Sequence, residues 1–212
     1  VERFDGARVS SLVVMGSGEP LLNYDSVIKF IKLVNWDRGF GIGYRHITIS
    51  TCGIVPGILR LAGEGLPLTL SVSLHAADDE TRSSIMKVNA VFPISTLVKA
   101  CNQYAKITGR RVTYEYALVA GVNDSPAHAE RLAGMLRGTL CHVNLIPINP
   151  VPETPYARPP SHVVEAFAGA LESRGIEATI RREMGSGIDA ACGQLRRRWA
   201  PRNGAAEGAG PG

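Results

Sequence analysis

The residues able to do chemistry fall into a short series along the chain: Gly18 and Glu19, Ser50, the run Ser73, Leu74 and His75, Asn149, and Cys192. Glu19 lies in Leu12-Val13-Val14-Met15-Gly16-Ser17-Gly18-Glu19-Pro20, where a short apolar stretch runs into two glycines, an acid and a proline. A carboxylate there can accept hydrogen bonds from an ammonium group, and the glycines let backbone approach a ligand with no Cβ in the way. It is not a dinucleotide fingerprint: no third glycine follows at the required spacing, and Glu19 comes too soon to be a ribose-binding acid. An ordinary strand-to-helix turn explains the stretch equally well. Ser50, Ser73 and Asn149 can hold carboxylate, hydroxyl or amide groups. His75 can be a base, a hydrogen-bonder or a structural residue. Cys192 sits in a loop between Gly185 and Gly193 beside a basic run. Arginines nearby lower a thiol's pKa, which a nucleophile needs; a small buried residue closing a packed loop is the alternative.

The elements that must position these groups alternate along the chain. Val9 to Met15, Arg45 to Thr51, Leu68 to Leu74, Arg111 to Val119, Val143 to Pro147 and Ala178 to Arg182 read as strands. Helical spacing follows from Asp25 or Ser26, from Pro56, over Asp78 to Met86, from a Ser95 cap, from Pro126 to about Arg137, and from Ser161. The glycine-rich run from Gly39 to Gly43 precedes a strand, the wrong order for a phosphate cradle, and reads as a connector. Repeated βα units predict an α/β fold with a parallel sheet and outer helices, open or curled into a barrel. Residues at strand C-termini then share one rim: Gly18-Glu19, Ser50-Thr51, Ser73-Leu74-His75, Glu115 and Asn149. A mouth with so few cations suits a zwitterionic or hydroxyl-bearing ligand better than a polyphosphate.

Composition sets the outer limits. The 212 residues, 45% hydrophobic and 20% charged, fit one sizeable core. No apolar run reaches bilayer-spanning length and no secretory pattern opens the chain, so a cytoplasmic setting without membrane contact is expected. Of the net charge of +4, +3 falls in residues 196–212, which leaves the body near neutral at +1. Charge by itself therefore does not point to RNA. The body is expected to run to residue 195, with 196–212 a basic, Gly/Ala/Pro-rich disordered tail. The four cysteines, at 52, 101, 141 and 192, include no C-x-x-C pair, and their spacing fits neither a zinc site nor a disulfide scaffold. Cys101 and Cys141 read as core, and Cys52 as a neighbour of the rim. Val1 is not an initiator methionine, and an upstream portion is expected.

Six motifs follow in order: Met-Gly-Ser-Gly-Glu-Pro-Leu-Leu-Asn, His-Ile-Thr-Ile-Ser-Thr-Cys-Gly, Ser-Val-Ser-Leu-His-Ala, Gly-Val-Asn-Asp, Val-Asn-Leu-Ile-Pro-Ile-Asn-Pro and Gly-Ile-Asp-Ala-Ala-Cys-Gly-Gln-Leu. In them residues 9–196 resemble the radical-SAM RNA adenine-C2 methyltransferases, the RlmN family. The resemblance implies a partial β/α TIM-like barrel holding S-adenosylmethionine at its strand ends. It implies Gly18 and Glu19 at the methionyl amino group, with Ser50, Ser73, Leu74, His75 and Asn149 at the other cofactor positions. It implies Cys192 as the cysteine that becomes S-methylated.

The implied route moves a methyl group onto Cys192. A 4Fe-4S cluster then reduces a second S-adenosylmethionine, and the resulting radical activates the S-methyl group for addition to adenine C2. A further cysteine releases the product by forming a disulfide bond. The implied partners are 23S rRNA and tRNA. The cluster's C-x-x-x-C-x-x-C run is absent from the sequence, so its ligands, the resolving cysteine, a first barrel strand and the carboxylate base are expected upstream of Val1, and this chain alone is expected to be inactive. Met86-Lys87-Val88-Asn89 also departs from the family's Met-Pro-Ile-Asn. Alternatives are the adenine-C8 (Cfr) group, against which Pro20 weighs, and a non-catalytic SAM- or RNA-binding remnant.

Overall fold

A computed structural model of the chain describes residues 9–16, 18–149 and 155–181. Strands β1 (Leu12–Val14), β2 (Ile47–Thr51), β3 (Thr69–Ser73), β4 (Val112–Leu118), β5 (Cys141–Pro147) and β6 (Ala178–Ile180) alternate with helices. The helices are α1 (Tyr24–Asn35), α2 (Val55–Gly63), α3 (Asp79–Ile85), α4 (Ile94–Thr108), α5 (Pro126–Leu136) and α6 (Ser161–Glu172). All six expected strands form, most of them shorter at their ends than the sequence pattern suggests.

The strands make one sheet in the order β1-β2-β3-β4-β5-β6, every pair parallel. That sequential order decides the architecture. Right-handed crossovers that never reverse direction put every helix on the same face. A doubly wound sheet would need a reversal, and with it a crevice for ligands at the switch point. None occurs here, so the opposite face is left to curl inward as the wall of a partial β/α barrel.

Burial follows this rule. Ile47, Ile49, Leu70, Val72, Val112, Tyr114, Tyr116, Leu118, Val143 and Leu145 are at most 1% exposed and pack in one core with the helices. The alternate positions on the other face are mostly polar and half-buried: Thr48, Ser50, Ser73, Thr113, Glu115, His142 and Asn144. The α4 face matches its spacing, while Phe30 of α1 is exposed and Val163 and Ala170 of α6 are only partly buried. Leu97, Val98, Cys101 and Ala105 of α4 are buried, as are Val164, Phe167, Ala168 and Leu171 of α6. The buried Tyr104 hydroxyl keeps a hydrogen bond, donating to the Leu68 carbonyl (2.9 Å).

Two helix starts illustrate local against tertiary control. Ser125 caps α5, with Pro126 in the first turn, as expected from sequence. Ser95 does not cap α4, which begins at Ile94 after Pro93. The Ile94 N–H is instead satisfied by the Asp79 carboxylate at 2.8 Å, delivered from α3, a partner fifteen residues away that no local pattern reports.

The cysteines also require a correction. Cys101 is buried, but Cys141 is only partly so, because it opens β5 at the sheet's end. The expected disulfide bond is overturned for the described residues: Cys52, Cys101 and Cys141 are free thiols on three different elements, β2's exit, α4 and β5. No helix among the described residues is long and apolar enough to cross a membrane. The expected boundary at residue 195, the tail after it and Cys192 lie outside the described residues.

Candidate functional site

Because the strands are parallel, their C-terminal ends meet along one edge, and the chain leaving each end supplies a polar group. Glu19 leaves β1. Gly18 before it has φ +123°, where no L side chain is comfortable, yet a Cβ there would meet nothing within 4 Å. Among the described residues the glycine is needed for its dihedral angle and not for room. The turn swings the Glu19 carboxylate across to β2. Its Oε1 accepts from the Thr51 hydroxyl (2.7 Å) and the Leu21 N–H (3.0 Å), capping the 3-10 turn Pro20–Leu22. Its Oε2 accepts from the Cys52 N–H (2.8 Å). A carboxylate has roughly four lone-pair positions; two backbone N–H groups and a hydroxyl take three of them, and the Cys52 thiol also hydrogen-bonds to Glu19.

Ser50 sits one residue before the end of β2, on the polar face, and its hydroxyl has no hydrogen-bond partner among the described residues. The Ser73 hydroxyl, at the end of β3, is likewise without one among the described residues. Leu74 differs: its side chain is fully buried in the core. Its N–H donates to the Glu115 carbonyl (3.0 Å) and its own carbonyl accepts from Arg82 (3.1 Å). Leu74 therefore anchors the turn and offers a ligand no side chain.

His75 is the only non-glycine residue with positive φ (58°) among the described residues. The strain is held from three directions. Its N–H donates to the Glu115 carbonyl at 3.2 Å, its carbonyl accepts from Asn123 Nδ2 at 2.8 Å, and its Nδ1 accepts from the Ala117 N–H at 3.0 Å. Burial and then the positive charge of Arg82 lower its pKa to about 4. With Nδ1 committed as an acceptor, the neutral ring carries its proton on Nε2. Of the roles open in the sequence, this geometry favours a fixed hydrogen-bond donor over a base.

Asn149 follows β5 and is exposed, with its Oδ1 accepting from Arg158 Nη1 at 3.2 Å. No hydrogen bond joins it to the Glu19 or His75 arms among the described residues. Glu115 is not at a strand end. β4 continues to Leu118, which places Glu115 below the rim, opposite Ser73 and Asn144 in register. There it accepts from the Ser71 hydroxyl (2.8 Å) and Asn144 Nδ2 (2.7 Å). Cys52, beside the mouth, has its thiol pushed up to about 12 by burial and then by the Glu19 carboxylate, which disfavours the thiolate a nucleophile needs.

Two supporting residues were not legible in advance. Asn123, in a segment that reads as a turn, is fully buried; besides holding His75, its Nδ2 donates to the Ala117 carbonyl (2.7 Å) and its Oδ1 accepts from the Val119 N–H (2.8 Å). Arg82, on α3, is also fully buried. The Asn-Asp pair was the available signal for the first; nothing in the local spacing marks the second.

Comparisons with known proteins show what the chain is similar to. A probable dual-specificity RNA methyltransferase RlmN from Symbiobacterium thermophilum is 58% identical over 194 residues, which are 91% of this chain and 52% of that protein. One from Desulforamulus reducens is 51% identical over 203 residues, 96% of this chain and 58% of that protein. The chain thus spans a little over half the length of these relatives. The crystal structure of a radical SAM methyltransferase from Sphaerobacter thermophilus superposes with a TM-score of 0.86 at 48% identity, covering 90% of this chain and 56% of that one. A domain of pyruvate-formate lyase-activating enzyme from Bacteroides vulgatus, at 19% identity and a TM-score of 0.63, shares the fold. The family description "Radical SAM superfamily" matches residues 1–133. With more than half its length so matched, on a sequentially wound parallel sheet whose polar groups gather at the strand ends, the chain belongs to the radical SAM superfamily.

Proposed function

We propose that this chain is the S-adenosylmethionine-binding barrel portion of an RNA methyltransferase of the RlmN kind, methylating adenine C2 in 23S rRNA and tRNA through Cys192. The observation that carries the reading is the Glu19 carboxylate, fixed at the mouth by Thr51 and Cys52, beside two serine hydroxyls without partners among the described residues. A zwitterion with hydroxyl groups matches that set. The Glu19 carboxylate faces the ammonium group, Ser50 and Ser73 meet the carboxylate or ribose, His75 donates from Nε2, and the Asn149 amide closes the far side. S-adenosylmethionine supplies the methyl group. Cys192, outside the described residues, is assigned as its acceptor on its motif and its arginine-rich neighbourhood. The arginines at 196–198 and 202 are assigned to RNA phosphates.

The superfamily also implies an iron–sulfur cluster, and the residues present do not fit one. The sequence has no C-x-x-x-C-x-x-C run, the described cysteines stand on separate elements, and no group of three metal-ligating side chains occurs among the described residues. That observation favours one second reading, a chain that binds S-adenosylmethionine or RNA without turnover. Expression of the complete reading frame, with anaerobic cluster reconstitution and mass spectrometry of 2-methyladenosine, separates the two. Product from the native sequence and none from Cys192→Ala supports the methyltransferase; product from Cys192→Ala overturns the role of Cys192, and modification at C8 overturns the C2 assignment.

A further inference from the structure

Arg82 has no exposed surface, and a charge buried this deeply normally faces an acid. Here none of its hydrogen-bond partners is an acid. Nε donates to the Leu74 carbonyl (3.1 Å); Nη1 donates to Asn89 Oδ1 (2.9 Å) and the Phe92 carbonyl (3.3 Å); Nη2 donates to the Cys52 carbonyl (2.9 Å) and the Ser73 carbonyl (3.2 Å). A guanidinium has five N–H donors in a rigid planar fork, and the five acceptors use all of them.

The acceptors lie on three separate segments. The Cys52 carbonyl belongs to the residue whose N–H holds Glu19 Oε2 (2.8 Å). The Ser73 and Leu74 carbonyls immediately precede the strained His75. Asn89 and Phe92 lie behind, in the segment leading to α4, and Asn89 is itself fixed by donating to the Asp79 carbonyl (3.0 Å) and Ser83 Oγ (2.8 Å). Gly53, with φ +106°, turns the chain at this exit, and a Cβ there would crowd Leu97 (3.0 Å) before it reached Arg82 Nη2 (3.3 Å).

We propose that Arg82 is the positioning residue of the rim: its guanidinium fork joins the exit of β2 to the exit of β3 and so sets the spacing between the Glu19 carboxylate and the His75 imidazole. The proposal rests on the reading that this rim holds S-adenosylmethionine, and extends it by naming what fixes the distance between the two arms. Lysine cannot replace arginine here, because a single ammonium has three donors and no planar fork to span three segments.

The test uses the 212-residue chain and two readouts. One is S-adenosylmethionine affinity by calorimetry; the other is the imidazole 15N spectrum of His75 at neutral pH, which reports the tautomer fixed by the Ala117 N–H. In Arg82→Lys, with cooperative melting retained, affinity is expected to fall at least tenfold and the His75 spectrum to change from a single Nε2–H tautomer to an average of two. Wild-type affinity and an unchanged His75 spectrum in the folded variant overturn the proposal. If Arg82→Lys does not fold, Asn89→Ala decides, since it removes one acceptor on the side away from the rim: weaker binding with altered His75 signals supports the clamp, and unchanged signals overturn it. If the native chain itself does not bind S-adenosylmethionine, the ligand reading fails, while the His75 spectrum still settles whether Arg82 positions the rim.

Discussion

The Glu19 carboxylate and the Cys52 backbone N–H meet at 2.8 Å across two neighbouring strand exits. This one bond turns a flexible acidic side chain into a fixed acceptor at the mouth, and it also fixes Cys52. The charge of Glu19 acts on both ligand affinity and fold stability. Glu19→Ala leaves the Thr51 hydroxyl, the Leu21 N–H and the Cys52 N–H without this partner, and should lower stability by about 2 kcal/mol in urea unfolding. S-adenosylmethionine affinity should fall more than tenfold in calorimetry on the folded variant. Unchanged affinity would remove Glu19 from the site.

His75 gives the chain a defined pH response. Its folded pKa, at about 4, lies below the ordinary value of 6.5, so between those values the unfolded chain binds the extra proton. Stability is complete above the unfolded value and declines as pH falls toward 4, by at most on the order of 3 kcal/mol. Urea midpoints at pH 7 and pH 4.5 should therefore differ less in His75→Asn, a residue tolerant of positive φ, than in the native chain. Equal pH slopes would contradict this.

Cys52 stands at the mouth with a thiol held in its protonated form. With its thiol pushed up to about 12, it should resist iodoacetamide at pH 8 in the folded chain. It should label readily in urea, where its pKa returns to about 8.5. Peptide mass spectrometry reads both, and stoichiometric labelling of native Cys52 would overturn the assignment.

Gly57 on α2 supports the site from behind. A Cβ at this position would lie 2.7 Å from Leu21 Cβ, in the turn that Glu19 caps. Gly57→Ala should therefore destabilise the chain by about 1–3 kcal/mol, although alanine in a helix interior is otherwise favoured by about 1 kcal/mol. Urea unfolding measures the net sign, and a stabilised variant would show that the turn can move.

Much of this molecule was legible from local order in the chain. The alternation of strand and helix periods, the Ser125-Pro126 helix start and the gathering of Glu19, Ser50 and Ser73 at strand ends follow from side-chain spacing and parallel winding, which are properties of sequence. Tertiary structure decided the rest. It assigned Asp79 to cap α4, drew Glu115 below the rim, turned Leu74 into the core, committed His75 Nδ1 as an acceptor and placed Arg82 beneath two strand exits. Each of these depends on a partner from another element, and a hydrogen bond or a buried charge carries no periodicity along the chain that could announce it beforehand.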